Sequence, residues 1–192
     1  MERDTNRQIN YRAENFTTRE DGGDLYIEGY FAVFNSNYDI APQMSESIAP
    51  GAFTSSISGD VRALINHDTT LVLGRTKAGT LELREDSHGL WGRVKVNPND
   101  QDALNIYERV KRGDVSGCSI GFVIRSEDTD INEAGDVHWT IRDVELFEVS
   151  CCTFPAYEET NIAARSAERA ELIERQRAAW KERMKERAKA WH

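Results

Sequence analysis

From Asp24 to Phe34 polar and apolar residues alternate, with Leu25, Ile27, Phe31 and Val33 among the apolar positions. A period of two rich in aromatic and β-branched residues predicts a strand. Further runs of this kind cover Val61–Asn66, Leu71–Thr76, Leu81–Glu85 and Leu90–Val96, separated by Lys77-Ala78-Gly79 and Ser87-His88-Gly89. Ser119–Ile124 is apolar enough to be a buried strand, and Val137–Phe147 followed by Glu148–Phe154 adds two more. Closely spaced strands predict a mostly antiparallel sheet curled into a barrel. Between them, Asn35–Pro50 is expected as a long loop, Pro50 to Ser58 as a short helix or turn, and Glu127–Asp136 as an acidic loop.

Helical spacing occurs twice. Across Asp100–Lys111, the residues Ala103, Leu104, Ile106, Tyr107 and Val110 form one apolar stripe, and Gly113 supplies a stop. Ala167–Trp191 lacks Gly and Pro and sets Glu171 four residues before Arg175. Its apolar residues, Leu172, Ile173, Trp180, Met184 and Trp191, are scattered and call for a partner. The chain therefore divides into a loose polar lead-in over 1–23, a β-rich body over 24–164, and a charged helix over 165–192.

Composition narrows the class. The 192 residues suffice for one ordinary core, and no apolar run approaches the length of a membrane span. Met1–Asn10 has no hydrophobic stretch of the signal-peptide kind. Cys118, Cys151 and Cys152 form neither a disulfide framework nor a paired zinc spacing, so reduced thiols in a cytosolic setting and no metal or cofactor are expected. The net charge of −9 is unevenly spread: residues 165–192 carry nine Lys/Arg against five Asp/Glu, leaving 15 basic and 28 acidic residues elsewhere. An acidic body repels nucleic acid.

The candidate chemistry centres on Ser116-Gly117-Cys118-Ser119-Ile120-Gly121-Phe122. A serine within an apolar strand needs its hydroxyl satisfied, and glycines beside it permit close approach. The plain reading is a core strand with a hydrogen-bonded serine. The chemical reading needs a base and a group that orients the base. Of four histidines, His192 is terminal, His88 sits in a tight turn and His138 follows the acidic loop, whereas His67 caps an apolar strand. Glu148 is a carboxylate inside the run Leu146-Phe147-Glu148-Val149, where it requires a partner unless it faces solvent. Ser116 is the rival nucleophile, three residues from Ser119 and therefore on the opposite face of an extended strand. Ser119 is preferred because glycines flank it, and Cys118 is assigned to packing.

In their order, Glu28-Gly29-Tyr30, Pro50-Gly51-Ala52-Phe53, Asn66-His67-Asp68, Leu73-Gly74-Arg75, His88-Gly89-Leu90, the Ser119 motif, Glu148-Val149-Ser150 and Phe154-Pro155-Ala156 resemble the prohead maturation proteases of tailed bacteriophages. These are distant relatives of the herpesvirus assemblins. The resemblance covers about residues 24–165. It implies a β-rich α+β fold: an assemblin-like barrel, closed or partly open, surrounded by helices and followed by a C-terminal helix. It also implies a serine endopeptidase that trims major capsid protein, scaffold and itself inside the assembling prohead in the host cytoplasm, with self-association as a dimer or higher oligomer. Under it, Ser119 is the nucleophile, His67 the base and Glu148 the acidic member, with Glu145 close by on the same strand. No arginine lies in a motif that would carry the oxyanion role. The competing function is an inactive head-assembly scaffold of the same fold, and residues 165–192 would serve targeting, oligomerisation or docking.

Overall fold

The computed structural model describes residues 6–12, 14–153 and 159–189, and the side chains of 16–153, 166–183 and 186. In chain order the strands are β1 (Asn6–Arg12), β2 (Glu14–Asp21), β3 (Asp24–Val33), β4 (Tyr38–Ala41), β5 (Met44–Ile48), β6 (Arg62–Ile65), β7 (Asp68–Arg75), β8 (Leu81–Glu85) and β9 (Gly89–Val96). Helix α1 (Gln101–Arg112), strands β10 (Gly117–Ile131) and β11 (Val137–Cys152), and helix α2 (Glu159–Lys189) complete the order.

The strands form two sheets. One runs β1-β10-β11-β5-β4, with β6 pairing to both β11 and β7; the other runs β2-β3-β9-β8. The expected β-rich fold and its largely antiparallel pairing are present, but the sheets are not closed into a barrel. Strand β11 explains why. One of its edges pairs along β10, while the other is divided between β5 at Val137–Ile141 and β6 at Glu148–Cys151, both parallel to it. That fork leaves β1, β4 and β7 as edges of the first sheet, with β2 and β8 as edges of the second. Among the described residues no ladder joins one sheet to the other, so the two pack across a shared core instead of closing.

The core follows the alternation. Cys118, Ile120 and Phe122 of β10 and Val149 and Cys151 of β11 pack with Ile27, Phe31, Leu90 and Val94 of the second sheet. The Cys118 thiol donates to the carbonyls of Tyr30 and Phe31, at 3.4 and 3.2 Å, and ties the sheets together. Burial holds this thiol's pKa well above the ordinary value. Helix α1 buries Ala103, Ile106, Tyr107 and Val110 of its predicted stripe and leaves Leu104 half-buried. The Asp100 side chain caps it by accepting from Asp102 N at 2.9 Å and Ala103 N at 3.3 Å, and Gly113, at φ +88°, ends it.

Several segments differ from their sequence reading. The lead-in contains β1 and β2 because the exposed edges of β10 and β3 offer unpaired backbone groups that even a polar segment can satisfy. The presumed loop 35–50 contains the β4–β5 hairpin. The first half of the acidic loop is strand, since Glu127–Ile131 pairs with Val137–Ile141, and the rest is a turn closed by Asn132 and Asp136. Pro50–Ser58 forms turns. The helices do not surround the body: α1 packs on β2, β3 and β9, and α2 reaches β5.

Among the described side chains, helix α2 docks through its first half. Arg169 donates to Gly135 O at 2.8 Å and to Gln43 Oε1 at 2.8 Å, and Leu172 packs on the satellite cluster of Ile40, Met44, Val137 and Trp139. From Glu174 to Arg183 every residue is exposed. Trp180 is among them, and Trp191 and His192 lie outside the described residues.

Candidate active site

The first determinant is a two-residue hairpin. Asn66 and His67 connect β6 to β7, Ile65 pairs with Asp68 across them, and both have positive φ, +50° and +61°. Positive φ at both central positions suits the right-handed twist of hairpin strands, and Asn and His tolerate that region better than most side chains. The strained turn is pinned on both sides. Asn66 N donates to Cys151 O at 3.0 Å, and Asn66 Oδ1 accepts from Thr153 N at 2.9 Å. Asp68 Oδ1 accepts from the hydroxyl and the main-chain N of Thr70, at 2.6 and 2.8 Å, which lowers its pKa. In the Asn66-His67-Asp68 motif the outer residues fix the turn and the middle one is presented.

Because β6 runs parallel to β11, this turn emerges beside the end of β11, and the imidazole reaches back along it. His67 Nδ1 lies 2.6 Å from Glu148 Oε1, and the main-chain N of His67 donates to Ser150 Oγ at 3.3 Å. Ser150 Oγ in turn donates to the second carboxylate oxygen, Glu148 Oε2, at 2.6 Å. Both oxygens of a carboxylate only 4% exposed are thus engaged, as a buried acid requires.

Strand β10 brings the serine. Gly117, Ser119 and Gly121 stand opposite Cys152, Ser150 and Glu148 across the β10–β11 ladder. Opposed residues of an antiparallel pair share a face with Cα atoms about 4.5–5.5 Å apart. Ser119 therefore shares its face with the two β11 residues that His67 engages, while Cys118 and Ile120 turn to the core. Ser119 and Ser150 are fully buried. Gly121 has a definite reason: a Cβ there would collide with the Glu148 carboxylate and the Phe147 ring. The glycine read from sequence as permitting close approach to the serine makes room for Glu148.

The rival residues fall elsewhere. Ser116 is exposed ahead of β10. Glu145 is exposed and accepts from Arg125 at 3.0 Å. His88 packs edge-on against Tyr30 in a turn held by Asp86. The ring nitrogens of His138 contact Ser45 Oγ at 2.8 Å and Ser47 Oγ at 2.9 Å. Sequence reasoning missed the roles of Ser150 and Cys152. The Glu-x-Ser spacing, which puts both side chains on one strand face, was the available signal for the first. The second, Cys152, has its Sγ 3.9 Å from His67 Nε2, but burial first and the Glu148 charge second push its pKa up to about 12. It is a neutral thiol near pH 7.

A buried carboxylate bound to an imidazole beside a strand serine is the kind of arrangement that serves acyl transfer. The chain belongs to the caudovirus prohead serine protease family, whose model matches residues 12–175. The prohead protease of Enterobacteria phage HK97 is 33% identical over 148 residues, covering 75% of this chain and 61% of that protein. The chain thus spans less than two thirds of that relative's length. Among solved structures, the bacteriophage T4 capsid assembly protease, gp21, aligns over 79% of this chain and 98% of its own, at 12% identity and a TM-score of 0.49.

Proposed function

We propose that this chain is a serine endopeptidase of phage head maturation, acting on the major capsid protein and scaffold within the assembling prohead. The observation that carries the reading is the 2.6 Å contact between His67 Nδ1 and buried Glu148, on the face that Ser119 shares. With Nδ1–H donated to the carboxylate, Nε2 is left as the basic atom. Ser119 Oγ attacks the peptide carbonyl as its proton passes to Nε2. The imidazolium, facing Glu148, then protonates the leaving amine as the C–N bond breaks, giving an acyl-enzyme. Water, deprotonated by the same nitrogen, releases the acid and restores Ser119.

The scaffold reading differs in requiring no reactive serine. A fluorophosphonate probe separates the two: labelling at Ser119 in self-assembled protein, lost in Ser119→Ala and retained in Ser116→Ala, is the expected result. Labelling that follows Ser116 would overturn the assignment. Cys152 Sγ lies 3.9 Å from His67 Nε2, so Cys152→Ala is the companion variant. It should keep the labelling, and its inactivity would make the thiol the nucleophile.

A further inference from the structure

A closed circuit of hydrogen bonds starts and ends on His67. The imidazole meets Glu148 Oε1 through Nδ1 at 2.6 Å. The other carboxylate oxygen, Oε2, accepts from Ser150 Oγ at 2.6 Å, and Ser150 Oγ accepts from the main-chain N of His67 at 3.3 Å. Side chain and main chain of one residue are therefore tied to the same carboxylate, with Ser150 as the link on the main-chain side.

A hydroxyl has one proton to give and two lone pairs. Here the proton is committed to Oε2 and a lone pair to the His67 N–H. While that proton occupies Oε2, a second proton there is opposed, so Glu148 is held as the carboxylate and turns Oε1 to the imidazole. A carboxylate accepting at both oxygens also cannot rotate without breaking both hydrogen bonds. On the other side of the circuit, Ser150 grips the main chain of a residue at φ +61°, a conformation that its surroundings must maintain. Ser150 stands opposite Ser119 on β10 and beside Leu64 on β6, fully buried, where bulk water does not replace its hydroxyl. We infer that Ser150 is a positioning residue for hydrolysis. It presents an ionised Glu148 to Nδ1 and fixes the backbone from which the imidazole extends, which aims Nε2 for the Ser119 proton. This rests on the peptidase reading above.

The test compares the full chain with Ser150→Ala by two readouts. The first is the rate of fluorophosphonate labelling at Ser119. Misplacing a reacting group by about 1 Å costs about 10²-fold, so labelling should slow about ten- to a hundredfold. The second is the His67 Nδ1 proton in the 1H NMR spectrum, assigned by its absence from His67→Gln. A ring proton held by a carboxylate at 2.6 Å resonates far downfield, and in Ser150→Ala it should move upfield or vanish. Ser56→Ala controls for destabilisation alone, since its buried hydroxyl donates to Phe53 O at 3.3 Å, outside the circuit. It should leave the ring signal in place and the rate within about threefold. In a Glu148→Gln background, with no carboxylate left to hold, Ser150→Ala should slow labelling by less than about threefold more. An unmoved ring signal in Ser150→Ala would overturn the inference. So would a parental labelling rate, or an undiminished slowing in the Glu148→Gln background. If Ser150→Ala does not fold, Ser150→Cys, which offers only a weak donor, takes its place under the same criteria. The ring signal needs neither turnover nor labelling, so a failure of the peptidase reading, seen as absent labelling of the parent, stays distinct from a failure here.

Discussion

Glu148→Gln is the most informative single change, because it removes a charge and almost no volume. In the parent, Oε1 accepts from His67 Nδ1 and Oε2 accepts from Ser150 Oγ, both at 2.6 Å. A glutamine can place its carbonyl oxygen on the imidazole and its amide nitrogen on Ser150, whose hydroxyl then accepts. The fold and ring position survive, and what is lost is the attraction between carboxylate and the imidazolium formed during reaction. With charge centres about 4 Å apart at an effective dielectric constant near 20, that attraction is about 4 kcal/mol, or about a 10³-fold fall in rate. If the amide instead presents its nitrogen, Nδ1 must give up its proton and Nε2 becomes the protonated atom. The base is then lost as well. The assay is the rate of fluorophosphonate labelling at Ser119, read by mass spectrometry, beside thermal melting. Unchanged melting with labelling slowed about 10²- to 10⁴-fold is expected. Glu145→Gln, altering an exposed partner of Arg125, should leave the rate within about threefold. A Glu148→Gln rate equally close to the parent's would refute the orienting role.

Gly121→Ala should inactivate far more than it destabilises, since the added methyl displaces the Glu148 carboxylate; overpacking costs about 1–3 kcal/mol. A fully active, stable Gly121→Ala chain would contradict the packing described. Asp60 accepts two hydrogen bonds from Arg75, at 2.7 Å each, and its pKa is held at about 2, first by Arg75 hydrogen bonds. A folded pKa below the unfolded value contributes stability that is present above about 4 and lost as pH falls through about 2. Asp60→Asn should therefore lower the melting temperature at pH 7, with the difference from the parent gone near pH 2; a persistent difference would refute the linkage. Truncation after Arg175 keeps the Arg169 and Leu172 contacts and should leave melting and activity on free substrate unchanged while excluding the protein from purified proheads. Normal incorporation would end the targeting reading of the distal helix.

What sequence alone determined was local. The strand periods, the stripe and stop of α1, and the break in charge at residue 165 each depend on residues a few positions apart. His67, Ser119 and Glu148 could be singled out for the same reason: each is a polar group next to an apolar run, conspicuous in its own neighbourhood. Their convergence depends on something no local pattern records. The parallel β6–β11 register aims the turn at Asn66–His67, and the β10–β11 register sets Ser119 opposite Ser150. The same applies to the open architecture, which follows from β11 dividing one edge between two partners. It applies most strongly to β1 and β2, where polar residues with little intrinsic preference become strands because edges elsewhere in the chain need covering. For β1 the partner lies more than a hundred residues away on β10, and pairing at that distance is invisible to a period of two.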